Sequence, residues 1–311
     1  MDAILKTIED IKHKIPNICI KQDEPLKNHT TFKIGGPVRV MFFPETISSL
    51  TSIYDILNKN NTAIFILGNG SNVLASDDPH EIAVINTSKL FGISLSDITD
   101  PEHPERKEID VMAGVLLSQL AVFAYENELT GLEFAHGIPG TLGGAVVMNA
   151  GAYGSEMSDV VSGTTAYNKT KGIYALTAAE NEFSYRQSKF TSTGDIVLSS
   201  VIRLKQGDKE SIKNKMDELC LRRKNSQPLD KPSAGSTFKR PKEGYAAELI
   251  EKSGLKGYTA GGAQVSKMHA GFIVNTGNAT FSDVLAVIDH TQNTVYKQFG
   301  IMLEPEVKIL Q

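Results

Sequence analysis

The sequence predicts an α+β protein built from more than one packed unit. Three observations carry that prediction. The chain has 311 residues, twice the roughly 150 of an ordinary domain. Its 41% apolar, 22% charged and 7% aromatic residues are the balance of a core-burying chain, not of a disordered, collagen-like or coiled-coil one. Stretches of helical period also alternate with short β-branched runs in an α-then-β order.

Ile4, Leu5, Ile8, Ile11 and Ile15 recur at helical spacing until Pro16 stops the run. The Gly35-Gly36-Pro37 turn leads into a strand over 38–43. Pro44 and Glu45 then open a helix with Ile47, Leu50, Ile53, Tyr54 and Leu57 on one face. Asn60 and Asn61 turn the chain into a strand over 63–67. Strands follow over 82–85 and 111–113, separated by a polar stretch over 94–108 whose prolines read as an exposed loop. A helix from Leu116 to about Glu128 is stopped by Gly131. Strands over 164–168, 173–176 and 195–204 complete a second α+β unit, and 207–209 marks a boundary. Beyond it lie a helix over 211–224, a loop holding Pro228 and Pro232, a helix over 246–252 capped by Gly254, and a strand over 271–275. A last helix has Ser282 as N-cap, a core face of Val284, Leu285, Val287, Ile288 and Val295, and Gly300 as stop. A strand over 303–310 closes the chain. The resulting domains are 1–87, 88–206 and 207–311.

Charge narrows the function. Thirty-two Lys and Arg against 36 Asp and Glu leave a net −4, with no broad basic surface for nucleic acid or anionic membrane. Cys19 and Cys220 lie far apart without a CxxC spacing, which favours neither a disulfide framework nor a zinc site and suits a reducing cytosol. Residues 1–10 offer no signal-peptide core. Residues 134–155 carry no Asp, Glu, Lys or Arg, yet six glycines and Pro139 break any lipid-facing helix, so the segment reads as a buried glycine-rich loop. His29, His136, His269 and His290 form no HxH or HxxxH pair, so no metal is expected.

Five segments hold chemistry-bearing residues. Gly68, Asn69, Gly70, Ser71 and Asn72 follow the 63–67 strand and can turn consecutive N–H groups inward as an anion nest. Val73 and the Asp77-Asp78-Pro79 run exclude a Rossmann loop, and an ordinary Asn/Gly turn is the plain alternative. Gly137, Ile138, Pro139, Gly140, Thr141, Gly143 and Gly144 run on to Asn149, Gly151 and Ala152. Such glycine density costs packing unless backbone must approach a diphosphate or flat ring closely, or unless it is a tight structural crossover. Two separate cradles favour a large dinucleotide such as FAD. Tyr185-Arg186 alone reads as a surface pair. Ser236, held between Pro232 and Pro241, is either a proton donor or a turn-capping hydroxyl, and no Gly-x-Ser-x-Gly elbow surrounds it. Glu304 and Glu306 are either an acid–base pair or solvated strand residues.

Taken in order, GNGSN at 68–72, GIPGTLGGAVVMNAGAYG at 137–154, SYRQS at 184–188, PSAGSTFKRP at 232–241, GGAQVSKMHAGFIVN at 261–275 and LEPEV at 303–307 resemble one family. It is the UDP-N-acetylenolpyruvoylglucosamine reductase family, flavoenzymes of bacterial peptidoglycan precursor synthesis. The resemblance runs from NHTTF at 28–32 to Glu306.

The resemblance implies a vanillyl-alcohol-oxidase-type (PCMH) fold, with FAD-binding lobes at 1–87 and 88–206 and a substrate domain at 207–311. It implies non-covalent FAD on the two glycine-rich segments, with no flavin link through His136. It further implies NADPH as hydride donor, a UDP-sugar enolpyruvate as substrate, and a cytoplasmic protein without nucleic-acid partner or membrane insertion. By position, Arg186 and Glu306 flank the substrate carboxylate and Ser236 delivers the proton. Lys239 and Arg240 suit a diphosphate. Tyr185, Tyr245, Gln264 and Asn275 fall at substrate-cleft positions, where ordinary structural hydrogen bonding is the alternative.

An always-charged guanidinium suits developing enolate charge, and burial is expected to raise the pKa of Glu306. The short stretch between Gly154 and Tyr185 places the chain in the shorter subclass, and its end five residues after Glu306 leaves no elaborate closing tail. A flavin oxidase of this fold and a non-catalytic nucleotide-sugar-binding protein are the competing readings.

Overall fold

A computed structural model of the chain describes residues 3–96 and 106–311. The amino-terminal elements are α1 (Ala3–Lys14), β1 (Cys19–Pro25), β2 (Pro37–Phe43), α2 (Ile47–Lys59), β3 (Ile64–Leu67), β4 (Val73–Ala75) and β5 (His80–Asn86). Next come β6 (Ile93–Leu95), β7 (Arg106–Met112), α3 (Leu117–Glu126), β8 (Leu129–Thr130), α4 (Leu142–Val147), β9 (Gly151–Ala152) and β10 (Ser155–Glu156). They are followed by β11 (Val161–Asn168), β12 (Gly172–Thr177), α5 (Lys189–Thr193), β13 (Ile196–Gln206) and α6 (Lys209–Ser226). The chain closes with β14 (Ser233–Ser236), α7 (Ala246–Lys252), β15 (Thr259–Ala260), β16 (Ala263–Val265), β17 (Phe272–Asn275), α8 (Phe281–Phe299) and β18 (Lys308–Leu310).

Two compact units share this chain, each drawn from three pieces. The first comprises Met1–Lys21, Val40–Asn69 and Ile82–Leu221, and the second Gln22–Arg39, Gly70–Glu81 and Arg222–Gln311.

The first unit holds the greater part of a sheet ordered β1-β2-β5-β3, with β3 parallel to β5. Helix α2 starts because the Thr46 hydroxyl accepts the Ser49 N–H at 3.1 Å, and it buries Leu50, Ile53 and Leu57 at helical spacing. Those side chains join Ile8 and Ile11 of α1 and Val40, Phe42 and Ile85 of the sheet in one core. A second sheet runs β12-β11-β13-β7-β6, wholly antiparallel, with β8 on β13. Leu117, Leu120, Leu142, Val146 and Ile212 pack over it. In the second unit α7 and α8 cover the sheet β14-β17-β16-β15, and Phe32, Ile34 and Leu74 complete the core. Strand β18 adds in parallel to β4, Lys308 opposite Val73.

Several boundaries differ from those the sequence predicts. The reading of 94–108 as a loop falls partly on 97–105, which lie outside the described residues. Ser94 and Leu95 belong to β6 and Arg106, Lys107 and Glu108 to β7, because pairing with neighbouring strands satisfies their backbone whatever their charge. Helix α3 ends at Glu126, two residues early, since Glu128 turns left-handed at φ +58. Residues 134–155 are not all loop: α4 forms because Leu142, Ala145 and Val146 drop into the core. The N-cap of α8 is Thr280, whose hydroxyl accepts the Asp283 N–H at 3.1 Å, rather than Ser282. Residues 233–236 are strand rather than loop. The last strand is confined to Lys308–Leu310, since Pro305 has no N–H to extend it. Among the described residues no helix is long and apolar enough to cross a membrane.

Candidate functional site

In the first unit, the two glycine motifs meet at Thr141. A Cβ on Gly68 would lie 2.3 Å from the Thr141 hydroxyl, so only glycine fits there. That hydroxyl is buried and makes no hydrogen bond among the described residues. Leaving it so costs about 1–3 kcal/mol, and an acceptor from a bound ligand would relieve the cost. Asn69 donates to the Pro139 carbonyl at 2.7 Å, tying the motifs together. Not every glycine serves a ligand: a Cβ on Gly143 would meet that of Ala113 at 3.0 Å, so this glycine seats α4. The N–H groups of Leu142 and Gly143 are taken by the Val115 and Ala113 carbonyls. Gly137, Pro139 and Gly144 are exposed, and Ile138, Gly140, Gly151 and Ala152 are half-buried. The exposed backbone around a buried, unsatisfied hydroxyl fits a dinucleotide.

The same unit carries Arg186 at the tip of a two-residue turn. Ser184 and Gln187 exchange backbone hydrogen bonds at 3.0 and 3.1 Å, and Arg186 takes φ +55. Its guanidinium donates to the Gly151 carbonyl at 3.0 Å and lies 5.1 Å from the exposed Tyr185 ring. Asn149 has no exposed surface.

In the second unit, Ser236 follows a β-bulge. Ser233 pairs with Val274 and Ser236 with Phe272, so three residues of β14 step against two of β17. Gly235 absorbs the extra residue at φ +76 with nothing within 4 Å of where a Cβ would stand. Such a bulge re-aims the next side chain, and Ser236 emerges exposed. Beside it, the Glu306 N–H donates to the Thr237 carbonyl at 2.7 Å and the Lys239 N–H to the Glu304 carbonyl at 2.8 Å. Ser236 and Glu306 therefore lie one register step apart on neighbouring segments of the backbone. Asn72 donates to the Glu306 carbonyl at 3.2 Å and its own carbonyl accepts from the Lys308 N–H at 2.9 Å. The Gly70 turn is pressed onto His29, whose carbonyl would be 2.2 Å from a Cβ at that position. Ser71 is half-buried in this loop.

Other predicted substrate residues divide. Lys239 is ion-paired with Glu304. The Arg240 guanidinium lies 4.1 Å from the exposed Tyr245 ring. Gln264 donates to Thr259 at 3.0 Å across the β15–β16 hairpin. Asn275 is buried and bonded to the Phe32 carbonyl at 3.2 Å and to the Gly277 and Ala279 N–H groups, which holds its own loop together.

Two further residues have no role predicted from sequence: Thr31, whose hydroxyl braces the Ser233 carbonyl at 2.7 Å, and His269. His269 accepts the Gly271 N–H at 3.2 Å and packs on Phe272, and burial pushes its pKa below the ordinary histidine value. Histidine within the 261–275 motif is the available signal for the second; a hydroxyl-to-backbone brace leaves none.

Comparison with known proteins extends this picture over the whole chain. Residues 227–310 match the model of the UDP-N-acetylenolpyruvoylglucosamine reductase C-terminal domain, and 38–174 match a FAD binding domain. A UDP-N-acetylenolpyruvoylglucosamine reductase of Caldanaerobacter subterraneus subsp. tengcongensis is 49% identical over 303 residues, 97% of each chain. One of Clostridioides difficile is 43% identical over 306 residues, 97% of this chain and 98% of its own. The crystal structure of UDP-N-acetylenolpyruvylglucosamine reductase from Thermus caldophilus superposes with a TM-score of 0.77 at 32% identity, over 95% of this chain and 99% of that one. The α+β fold with a FAD binding domain, expected from the motif order, is thus the fold found. Matches this complete on both sides make the chain a member of the UDP-N-acetylenolpyruvoylglucosamine reductase family, an FAD-dependent oxidoreductase.

Proposed function

We propose that this chain reduces UDP-N-acetylglucosamine enolpyruvate to UDP-N-acetylmuramate, with NADPH as hydride source, in cytoplasmic peptidoglycan precursor synthesis that underlies cell shape and division. In this reading residues 1–87 and 88–206 are the flavin lobes and 207–311 the substrate domain. The glycine-rich segments 68–72 and 137–152 would hold FAD, which once reduced by NADPH would supply hydride chemistry for the enolpyruvyl β-carbon. The rest falls to the protein. Charge develops on the substrate carboxylate as the β-carbon gains hydride; the Arg186 guanidinium takes that charge, and Glu306 contributes as the neutral acid. The Ser236 hydroxyl gives its proton to the α-carbon. Arg240, Lys239 and Tyr245 take the diphosphate end, and Tyr185 and Gln264 are further substrate contacts.

The observation that carries this reading is the pairing that brings the Ser236 and Glu306 segments side by side, with the Glu306 N–H donating to the Thr237 carbonyl at 2.7 Å. Stopped-flow mixing tests it: NADPH should bleach the flavin absorbance, and the enolpyruvyl substrate should restore it. Ser236→Ala is expected to leave bleaching within about threefold and to slow restoration by about 10²–10⁴-fold. Loss of bleaching with FAD still bound would rule Ser236 out as the proton donor.

A further inference from the structure

Asn149 lies in the flavin segment yet is sealed from any ligand. Its backbone is left-handed, at φ +42. Its side-chain oxygen accepts the Ser158 N–H at 2.9 Å, and its amide donates to the Ser184 carbonyl at 3.0 Å. Ser184 is the base of the turn that bears Arg186. The guanidinium reaches back to the same segment, to the Gly151 carbonyl at 3.0 Å and the Asn149 carbonyl at 3.5 Å. The far flank of the turn is fastened too, because Ser188 and Thr191 donate their hydroxyls to the Val147 carbonyl at 2.8 and 2.9 Å.

Two demands meet at position 149. The backbone must be left-handed, which excludes most L-residues but tolerates glycine and asparagine. The sealed side chain must both donate and accept, which excludes glycine and aspartate. Asparagine satisfies both.

We propose that Asn149 is a positioning residue for Arg186 rather than a cofactor contact. It locks the turn's base and, through its own carbonyl, helps set the plane of the guanidinium. Planar two-point recognition of a carboxylate depends on that plane, and small misplacements of a reacting group are costly in rate. The inference rests on the reading that Arg186 holds the substrate carboxylate.

The test uses the holoenzyme and two variants. Asn149→Gly keeps the left-handed backbone and loses both side-chain bonds. Asn149→Asp keeps the acceptor for Ser158 and loses the donor to Ser184. Both are expected to retain flavin and to bleach with NADPH within about threefold of the parent, while substrate-driven restoration slows about 10–100-fold, in limiting rate more than in half-saturating substrate concentration. Added to Arg186→Ala, Asn149→Gly should cost less than about twofold more, since the group it positions is gone.

Parent-like restoration in the single variants overturns the proposal. So does a full multiplicative loss in the double variant, or loss of flavin from both single variants, which would make Asn149 a general scaffold residue. If Arg186→Ala alone restores at the parent rate, the functional reading has failed first and this inference falls with it.

Discussion

The Arg186 turn of the first unit and the Ser236 and Glu306 segments of the second hold their proposed site residues by different physics. Around Arg186, four non-glycine residues (Asn149, Tyr153, Glu182 and Arg186) take positive φ, and side chains clasp backbone on both flanks. A left-handed L-residue costs about 1–2 kcal/mol, so such geometry persists only where neighbours over-determine it. Around Ser236, backbone pairing interrupted by one bulge does the positioning, and the left-handed residue is a glycine, at little cost. The difference teaches what each group requires. A planar guanidinium must be aimed in two directions at once, whereas a hydroxyl or carboxylate can rotate into place from a well-placed strand.

The sharpest way to break that comparison is Arg186→Lys. The charge stays and the plane goes, so turnover should fall at least about 100-fold in the flavin-restoring step. Near-parent turnover would mean that the clasp around Arg186 serves something other than its plane. Gly235→Val should act more gently. No atom obstructs a Cβ there, so the cost is backbone strain of about 1–2 kcal/mol, read as a melting temperature lower by several degrees, with restoration slowed about tenfold as the bulge relaxes. Parent-like kinetics would show that Ser236 needs no bulge to be aimed.

The smallest effect sets the units apart by pH. In the first, burial and then the bond to Asp55 at 2.5 Å push Tyr167 up to about 12, and burial with Asp195 raises Tyr174 in the same sense. An unfolded tyrosine titrates near about 10, so this stabilisation is whole below that pH and declines as pH rises through the folded value. In the second, the N–H groups of Thr280 and Gly262 hold Asp283 below the ordinary carboxylate value. Its contribution is present above about pH 4 and is lost as pH falls through the lowered value. Denaturant melts across pH should show Tyr167→Phe flattening the alkaline decline and Asp283→Asn the acid one. Unchanged slopes would remove the distinction.

Structure is most legible in the sequence where one residue type has one physical use. The 246–252 helix is legible to the residue, because Gly254, at φ +72, can end it and little else there would. Gly68 is legible as a point of close approach, because a Cβ there would meet the Thr141 hydroxyl. Helix α4 is not, since Gly143 and Gly144 argue locally against a helix that packing on Ala113 then supplies. The start of β7 at Arg106 is hidden because paired strands tolerate charge on an open face. Asn149 reads as a ligand contact because an asparagine among glycines looks the same from sequence whether its amide meets a cofactor or a carbonyl of its own chain. Only geometry decides which neighbouring hydroxyl caps α8, so Ser282 and Thr280 are interchangeable in the sequence.

The patchwork make-up of the second unit bears on how the protein is born. Its chain comes from residues 22–39, 70–81 and 222–311, and β4 waits for β18 to complete its parallel pair. A ribosome elongating at about 5–20 residues per second releases the early pieces on the order of ten seconds before the late one begins to appear. Phe32, Ile34 and Leu74 cannot reach their own core until then. The nascent polypeptide therefore carries an apolar debt through most of translation, on which chaperone capture and aggregation compete.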